Sequence, residues 1–198
     1  MALKFQYNKT ELQGLTKQLK VRYSALPLVK HKEAALRIEV KKATNQSKKL
    51  QQKLDVLLKE VEDMTALWCE FDFSILSVKN IVWHTRNIAG VKTPELDSID
   101  FNQKPIGFYH YPSWYADGME VLKRIAYLAV EREFHLVRAE MLDAKRKKTT
   151  QKVNLFEKVQ IPDFREAISK IKRFLEDQET LEKTGQKIMK KKNLSEAS

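Results

Sequence analysis

The sequence is short of the residues that staple or sharply fold back a chain. Among 198 residues there is one cysteine, and glycine and proline occur only five times each. Cys69 alone cannot close an intramolecular disulfide and has no companions for a structural zinc site, which points to a reducing compartment without a metal staple. So few glycines and prolines exclude turn-rich sandwiches and barrels and leave long helices. Nowhere do about 18 apolar residues run together, as a membrane span requires, and Met1–Thr10 lacks the apolar core of a signal peptide. Any service to a membrane is expected from its side.

Catalytic chemistry is equally sparse. Glycines 14, 90, 107, 118 and 185 never take the spacing of a P-loop. The histidines His31, His84, His110 and His135 are widely separated, and none stands in an H-E-x-x-H context. Cys69 sits beside an apolar helical position with no evident base. Glu60, Glu62, Asp63, Glu70 and Asp72 lie near lysines and read as a solvated face rather than acid–base machinery. The expectation is a chain with no catalytic residues, no cofactor and no metal of its own.

What the sequence does have is charge and periodicity. Thirty-seven Lys+Arg against 26 Asp+Glu give a formal net charge of +11. One basic cluster, Lys145, Arg146, Lys147, Lys148 and Lys152, and a second, Lys183, Lys187, Lys190, Lys191 and Lys192, carry charge comparable to the whole excess. Basic helices of this kind suit an acidic protein partner, a nucleic acid or membrane surface, or simple solubility of a coiled coil. No nucleic-acid recognition motif accompanies them.

Stepping from Leu12 to Val82 by alternating three and four residues visits 21 positions, of which 18 are apolar against a 42% background. The breaks are Arg22, Glu33 and Ser47. A mean spacing of 3.5 residues is the coiled-coil period, and a helix over 12–82 would be about 105 Å long. Asn8 followed by Glu11 supplies a start signal, and Pro27 predicts a kink or a restart near Leu28. The same stepping from Leu122 to Lys192 gives 12 apolar positions of 21. Asp143, Arg146 and Thr150 interrupt that second seam, and Pro162 marks a place where its register can shift.

Between the helices the composition changes. Residues 90–118 hold three of the five prolines, three of the five glycines and a concentration of aromatics. Asn87–Val91 and Ile106–His110 are predicted as short strands of a hairpin. The predicted fold is mainly α: a long helix over 1–82, a small irregular or β-hairpin cap over 83–116, and a second long helix over 117–198. The cap lets the two helices form an antiparallel coiled coil.

Val153-Asn154-Leu155-Phe156-Glu157-Lys158-Val159-Gln160-Ile161-Pro162 resembles the arginine-arginine-valine-asparagine-alanine-leucine-glutamate, x, valine, x, isoleucine-proline signature of the D subunit of the V-type and A-type rotary ATPases. Leu28-Val29-Lys30-His31-Lys32 is similar to that family's leucine-leucine-lysine-x-lysine, and Asn87-Ile88-Ala89-Gly90-Val91 with Pro94 to its glycine-valine-proline element. Departures fall at Gln151 and Lys152, in place of paired arginines, and at Leu155-Phe156. They fall also at Arg22 and Ala25, where the family has a small residue and a glycine. The F-type gamma subunit also has two long helices, but around a far larger middle domain.

The resemblance implies a central-stalk axle coupling a catalytic ring to H+ or Na+ transport. The implied partners are the catalytic A and non-catalytic B subunits of the ring, the small F subunit of the stalk and the membrane-rotor adaptor (C or d), with no nucleic acid and no membrane insertion. A cytoplasmic location at the membrane follows from the same likeness. Lys30, Lys32, Val153, Asn154, Glu157, Ile161 and Pro162 are the partner-binding positions it suggests. A free-standing coiled-coil scaffold or a basic nucleic-acid-binding rod would need only the seam or the charge, and neither accounts for the signature.

Overall fold

The computed structural model describes residues 4–62, 64–104 and 111–196. The elements are helix α1 (Lys9–Glu62), short helix α2 (Thr65–Cys69), a 3-10 turn (Phe73–Ile75), strands β1 (Leu76–Ile88) and β2 (Val91–Gln103), helix α3 (Tyr115–Asn154), a π turn (Leu155–Gln160) and helix α4 (Ile161–Glu196). The chain is thus mainly helical, with one small antiparallel hairpin among the described residues. It divides into two compact units. The first joins Met1–His31 to Thr149–Ser198, and the second is Lys32–Lys148.

Helix α1 starts where its cap predicts: the Asn8 Oδ1 accepts the Glu11 amide at 2.6 Å. Its inward stripe follows the 3.5-residue seam. Leu15, Leu36, Ala43, Leu50 and Leu54 are buried, and Leu12, Leu19, Leu26, Val29, Val40, Leu57 and Val61 are half-buried. The three polar breaks share that stripe, Ser47 buried and Arg22 and Glu33 half-buried. The helix runs through Pro27 without restarting near Leu28. Proline leaves the Tyr23 carbonyl without its helical donor, and the flanking turns carry the helix across the gap.

In the first unit Leu15 packs with Phe164, Ala167 and Ile171, surrounded by Phe5, Leu12, Leu19, Ile168 and Leu175. Lys9 pairs with Glu179, Arg22 with Gln160 and Lys30 with Glu157, so residue numbers rise on α1 as they fall on its partner. The pairing is antiparallel. In the second unit the Arg132 Nη1 donates to the Gln51 Oε1 at 2.5 Å, and His135 and Arg138 share a groove with Glu39, Lys42, Ala43 and Gln46. Here too the helices are antiparallel.

The first helix ends at Glu62, not near Val82, and Leu76–Ile88 is a strand. Three-and-four stepping still strikes apolar residues beyond Val61 because this stretch is dense in them. The β-branched run Ile75, Val78, Ile81, Val82, Thr85 and Ile88 favours extended backbone, and the Asp72 carboxylate accepts the Ser74 amide at 2.9 Å, capping the 3-10 turn that leads into β1. Val78 and Val82, assigned to the seam, are exposed on the strand.

The hairpin differs from expectation in its register. Asn87–Val91 is predicted as a strand, yet Ala89 and Gly90 form the turn, with Ile88 opposite Val91. Both turn residues have positive φ, 51° and 78°. That is the type I′ geometry matching the twist of a two-residue hairpin. The predicted strand Ile106–His110 lies outside the described residues. Pro94 fits within β2 because its carbonyl turns outward to accept the Arg138 Nη2 at 3.1 Å, on the side where a missing amide proton costs the ladder nothing. A hydrophobic cluster of Phe71, Ile75, Tyr115 and Met119, with the aromatic Trp68, Tyr111 and Trp114 beside it, ties the start of the hairpin to α3. The Tyr115 hydroxyl donates to the Glu70 carbonyl and accepts the Asp72 amide.

Candidate functional site

The signature segment folds as a π turn. Over Leu155–Gln160 the hydrogen bonds span five residues, and the Ile161 amide donates to the Phe156 carbonyl. Pro162 supplies the local reason. In a regular α-helix its ring would strike the Lys158 carbonyl and its nitrogen would have no proton for it; a wider turn just before it relieves both problems. The predicted register shift at Pro162 is therefore present, as one extra residue in the helix.

That residue separates two buried stripes of the first unit. Before the turn Thr149, Val153 and Phe156 point inward; after it Ile161, Phe164, Ile168 and Ile171 do. Continuing the first stripe by the 3.5-residue rule reaches Gln160 and Asp163, one short of the second. At Asp143, Thr150 and Glu157 the three-and-four stepping misses the inward stripe by one residue, since Leu142, Thr149 and Phe156 take the inward places.

Two polar contacts from α1 flank the turn. The Lys30 Nζ lies 2.9 Å from the Glu157 Oε1, both side chains about half exposed (47% and 48%). Lower in the pair the Arg22 Nε donates to the Gln160 Oε1 at 2.8 Å. The same guanidinium sits 4.2 Å from the centre of the Phe164 ring, and its Nη1 donates to the Gln18 carbonyl at 3.1 Å. The Arg165 guanidinium lies 5.3 Å from the Tyr23 ring, and the Lys152 ammonium 5.6 Å from that of Phe156.

Of the residues marked from the sequence, Lys30 and Glu157 meet directly. Val153 is half-buried in the stripe, and Ile161 is buried and packs the core. Asn154 and Pro162 are exposed on the outer side of the turn, together with Leu155 (45% exposed) and Val159 (39%). Lys32 belongs to the second unit, where its ammonium stands 3.3 Å from the place a Cβ on Gly90 would take. The seam reading treated Arg22 as a defect and gave Gln160 no role. The signal that finds them is a polar residue at an inward position on each of two antiparallel helices.

Elsewhere in the second unit Arg138 holds the hairpin against α3, reaching the Pro94 carbonyl and, at 3.5 Å, Glu95. Next to it the imidazole of His135 is held below the usual histidine range, first because burial disfavours its charged form and then because Arg138 repels it; Glu131 and Glu95 oppose the shift. Asp143 is held below the usual carboxylate range by hydrogen bonds from Arg146 and Lys147, so part of the first basic cluster is internally paired. Among the described residues no group of three His, Cys, Asp or Glu side chains is placed to hold a metal ion, and no helix is long and apolar enough to cross a membrane.

The sequence profile for the ATP synthase D subunit matches residues 11–191 of this chain. The chain belongs to the ATP synthase D-subunit family. It is also 33% identical over 189 residues to the D subunit of the V-type ATP synthase of Borreliella burgdorferi, with 94% of each chain covered. Membership makes it a component of an ATPase complex and assigns it the central-stalk role. The matched span covers the hairpin, the π turn and all but the ends of the long helices.

Proposed function

We propose that this central-stalk protein is the axle of a V-type or A-type rotary ATPase, carrying no catalytic residues and coupling nucleotide turnover in the ring to H+ or Na+ movement across the membrane. Its partners in this reading are three catalytic A and three non-catalytic B subunits, the small F subunit of the stalk and the adaptor to the membrane rotor. The chain would sit at the cytoplasmic side of the membrane through that assembly. The observation that carries the reading is the family match over nearly the whole chain.

The mechanism follows from symmetry and linkage. One asymmetric shaft inside a three-fold ring touches the three catalytic interfaces differently, and a contact that differs between open and closed interfaces shifts their populations by that differential free energy. Coupling of binding energies is reciprocal: shaft angle biases nucleotide affinity, and nucleotide occupancy biases angle. The same part therefore serves hydrolysis and synthesis. In this reading Asn154, Glu157 and Pro162, with the apolar Leu155 and Val159, form the face that the signature offers to a partner. Val153 and Ile161 hold that face from behind, and Lys30 and Lys32 extend the contact on α1.

Native mass spectrometry of the chain mixed with purified ring subunits from the same source tests the reading. One copy per six-membered ring is expected. A homodimer indifferent to the ring would favour a free-standing scaffold. Duplex binding that falls steeply with salt would favour a nucleic-acid rod.

A further inference from the structure

We propose that Arg22 is a positioning residue that holds the extra residue of the helix at Leu155–Gln160 and thereby fixes the angle at which the outer face of the π turn is presented. A helix with one residue too many can place the widened turn at several points along its length, because each amide can exchange its partner with the neighbouring carbonyl. Pro162 favours the turns just before it, and contacts from α1 choose among them. In this unit the only groups on α1 that reach polar atoms of the turn, among the contacts described, are Arg22 at Gln160 and Lys30 at Glu157.

The two contacts are unequal. Lys30–Glu157 is a half-exposed pair between flexible side chains, which holds geometry weakly. Arg22 is half-buried and fastened at three points: Gln160, the Phe164 ring and the Gln18 carbonyl. Gln160 is the last residue of the turn and Phe164 belongs to the first inward layer of α4, so one planar guanidinium spans the junction where the stripes change phase. Sliding the widened turn toward the N-terminus would rotate Gln160 away from α1 and break that span. Leu155 and Val159, four residues apart and outward, would rotate with it.

The placement of the turn by Arg22 stands on the contacts alone; its effect on coupling rests on the axle reading above. Hydrogen–deuterium exchange of the full chain, followed by mass spectrometry of peptides covering 153–163, tests the first. Arg22→Ala is expected to speed exchange there at least tenfold, with peptides from Lys41–Leu54 unchanged. Arg22→Lys, which keeps the charge but not the planar fork, is expected to restore only part of the protection. Gln160→Glu, which leaves the core untouched and turns the contact into an ion pair, is expected to slow exchange below wild type. No change with Arg22→Ala, or equal protection with Arg22→Lys and Arg22, would overturn the assignment; if Arg22→Ala fails to fold, faster or unaltered exchange in Gln160→Glu would do so. In the reconstituted complex, fewer ions moved per ATP with Arg22→Ala is the expected result. An unaltered ratio alongside altered exchange would count against the axle reading and leave the placement standing.

Discussion

At the residue scale, burial decides which side chains matter for stability. Leu36 and Ile171 are fully buried in their units, and truncating either to alanine is expected to cost about 2–5 kcal/mol in a denaturant melt. Leu181, 73% exposed, should change stability by less than about 0.5 kcal/mol although it lies on the same sequence period. A double-mutant cycle on Lys30 and Glu157 should return a coupling below about 1 kcal/mol that shrinks with salt, as half-exposed pairs do. His135 gives a pH dependence of known sign. Its pKa is depressed in the fold, so as pH falls through about 6.5 the unfolded chain takes up a proton before the folded one does. Stability should be full above about pH 7 and decline as pH drops toward the folded value, and His135→Gln should flatten that limb. Glu39, Lys42 and Arg138 line the groove beside this ring, so the limb should be compared at constant ionic strength. The inward residues of α1 were readable one by one, because a helical stripe repeats and the polar breaks Arg22, Glu33 and Ser47 still occupy it. Gln160, the partner of Arg22, was not, since it lies 138 residues away on a helix whose phase shifts between.

At the element scale, the hairpin turn and Pro27 offer the clearest tests. Ala89 has positive φ without being glycine, so Ala89→Asn, which makes an Asn-Gly type I′ turn, should stabilise the second unit by up to about 1 kcal/mol. Gly90→Val should do the reverse, by about 1–2 kcal/mol, because φ is +78° and the Lys32 ammonium already occupies the approach. Pro27→Ala restores a hydrogen bond to the Tyr23 carbonyl and should raise the unfolding midpoint, with a gain bounded by about 3 kcal/mol. Helix existence was legible in the sequence, and so was the cap of α1 at Asn8. The end of α1 was not, because Phe71–Val82 satisfies the helical stepping while its β-branched content and the Asp72 cap send it into a strand. The π turn was legible only as a weakness of the second seam with a proline beside it. A phase slip of one residue leaves no composition signal, and only the backbone shows which residues absorb it.

At the scale of the whole molecule, periodicity and charge described a helical partner for something else, while short motifs in order said what that something is. The Val153–Pro162 signature, Leu28–Lys32 and Asn87–Pro94 each became a structural feature: the π turn, the α1 segment beside it, and the hairpin turn with the start of β2. Each of these features fixes local backbone geometry, in keeping with a stalk component of an ATPase. The central claim is that this chain turns inside the ring. Cys69 is the single cysteine and is exposed, so a bead can be attached there without engineering. With the ring immobilised and ATP supplied, the account predicts unidirectional rotation of the bead in steps of about 120°, one per catalytic interface of a three-fold ring. A bead that stays fixed while the same complexes hydrolyse ATP would contradict it.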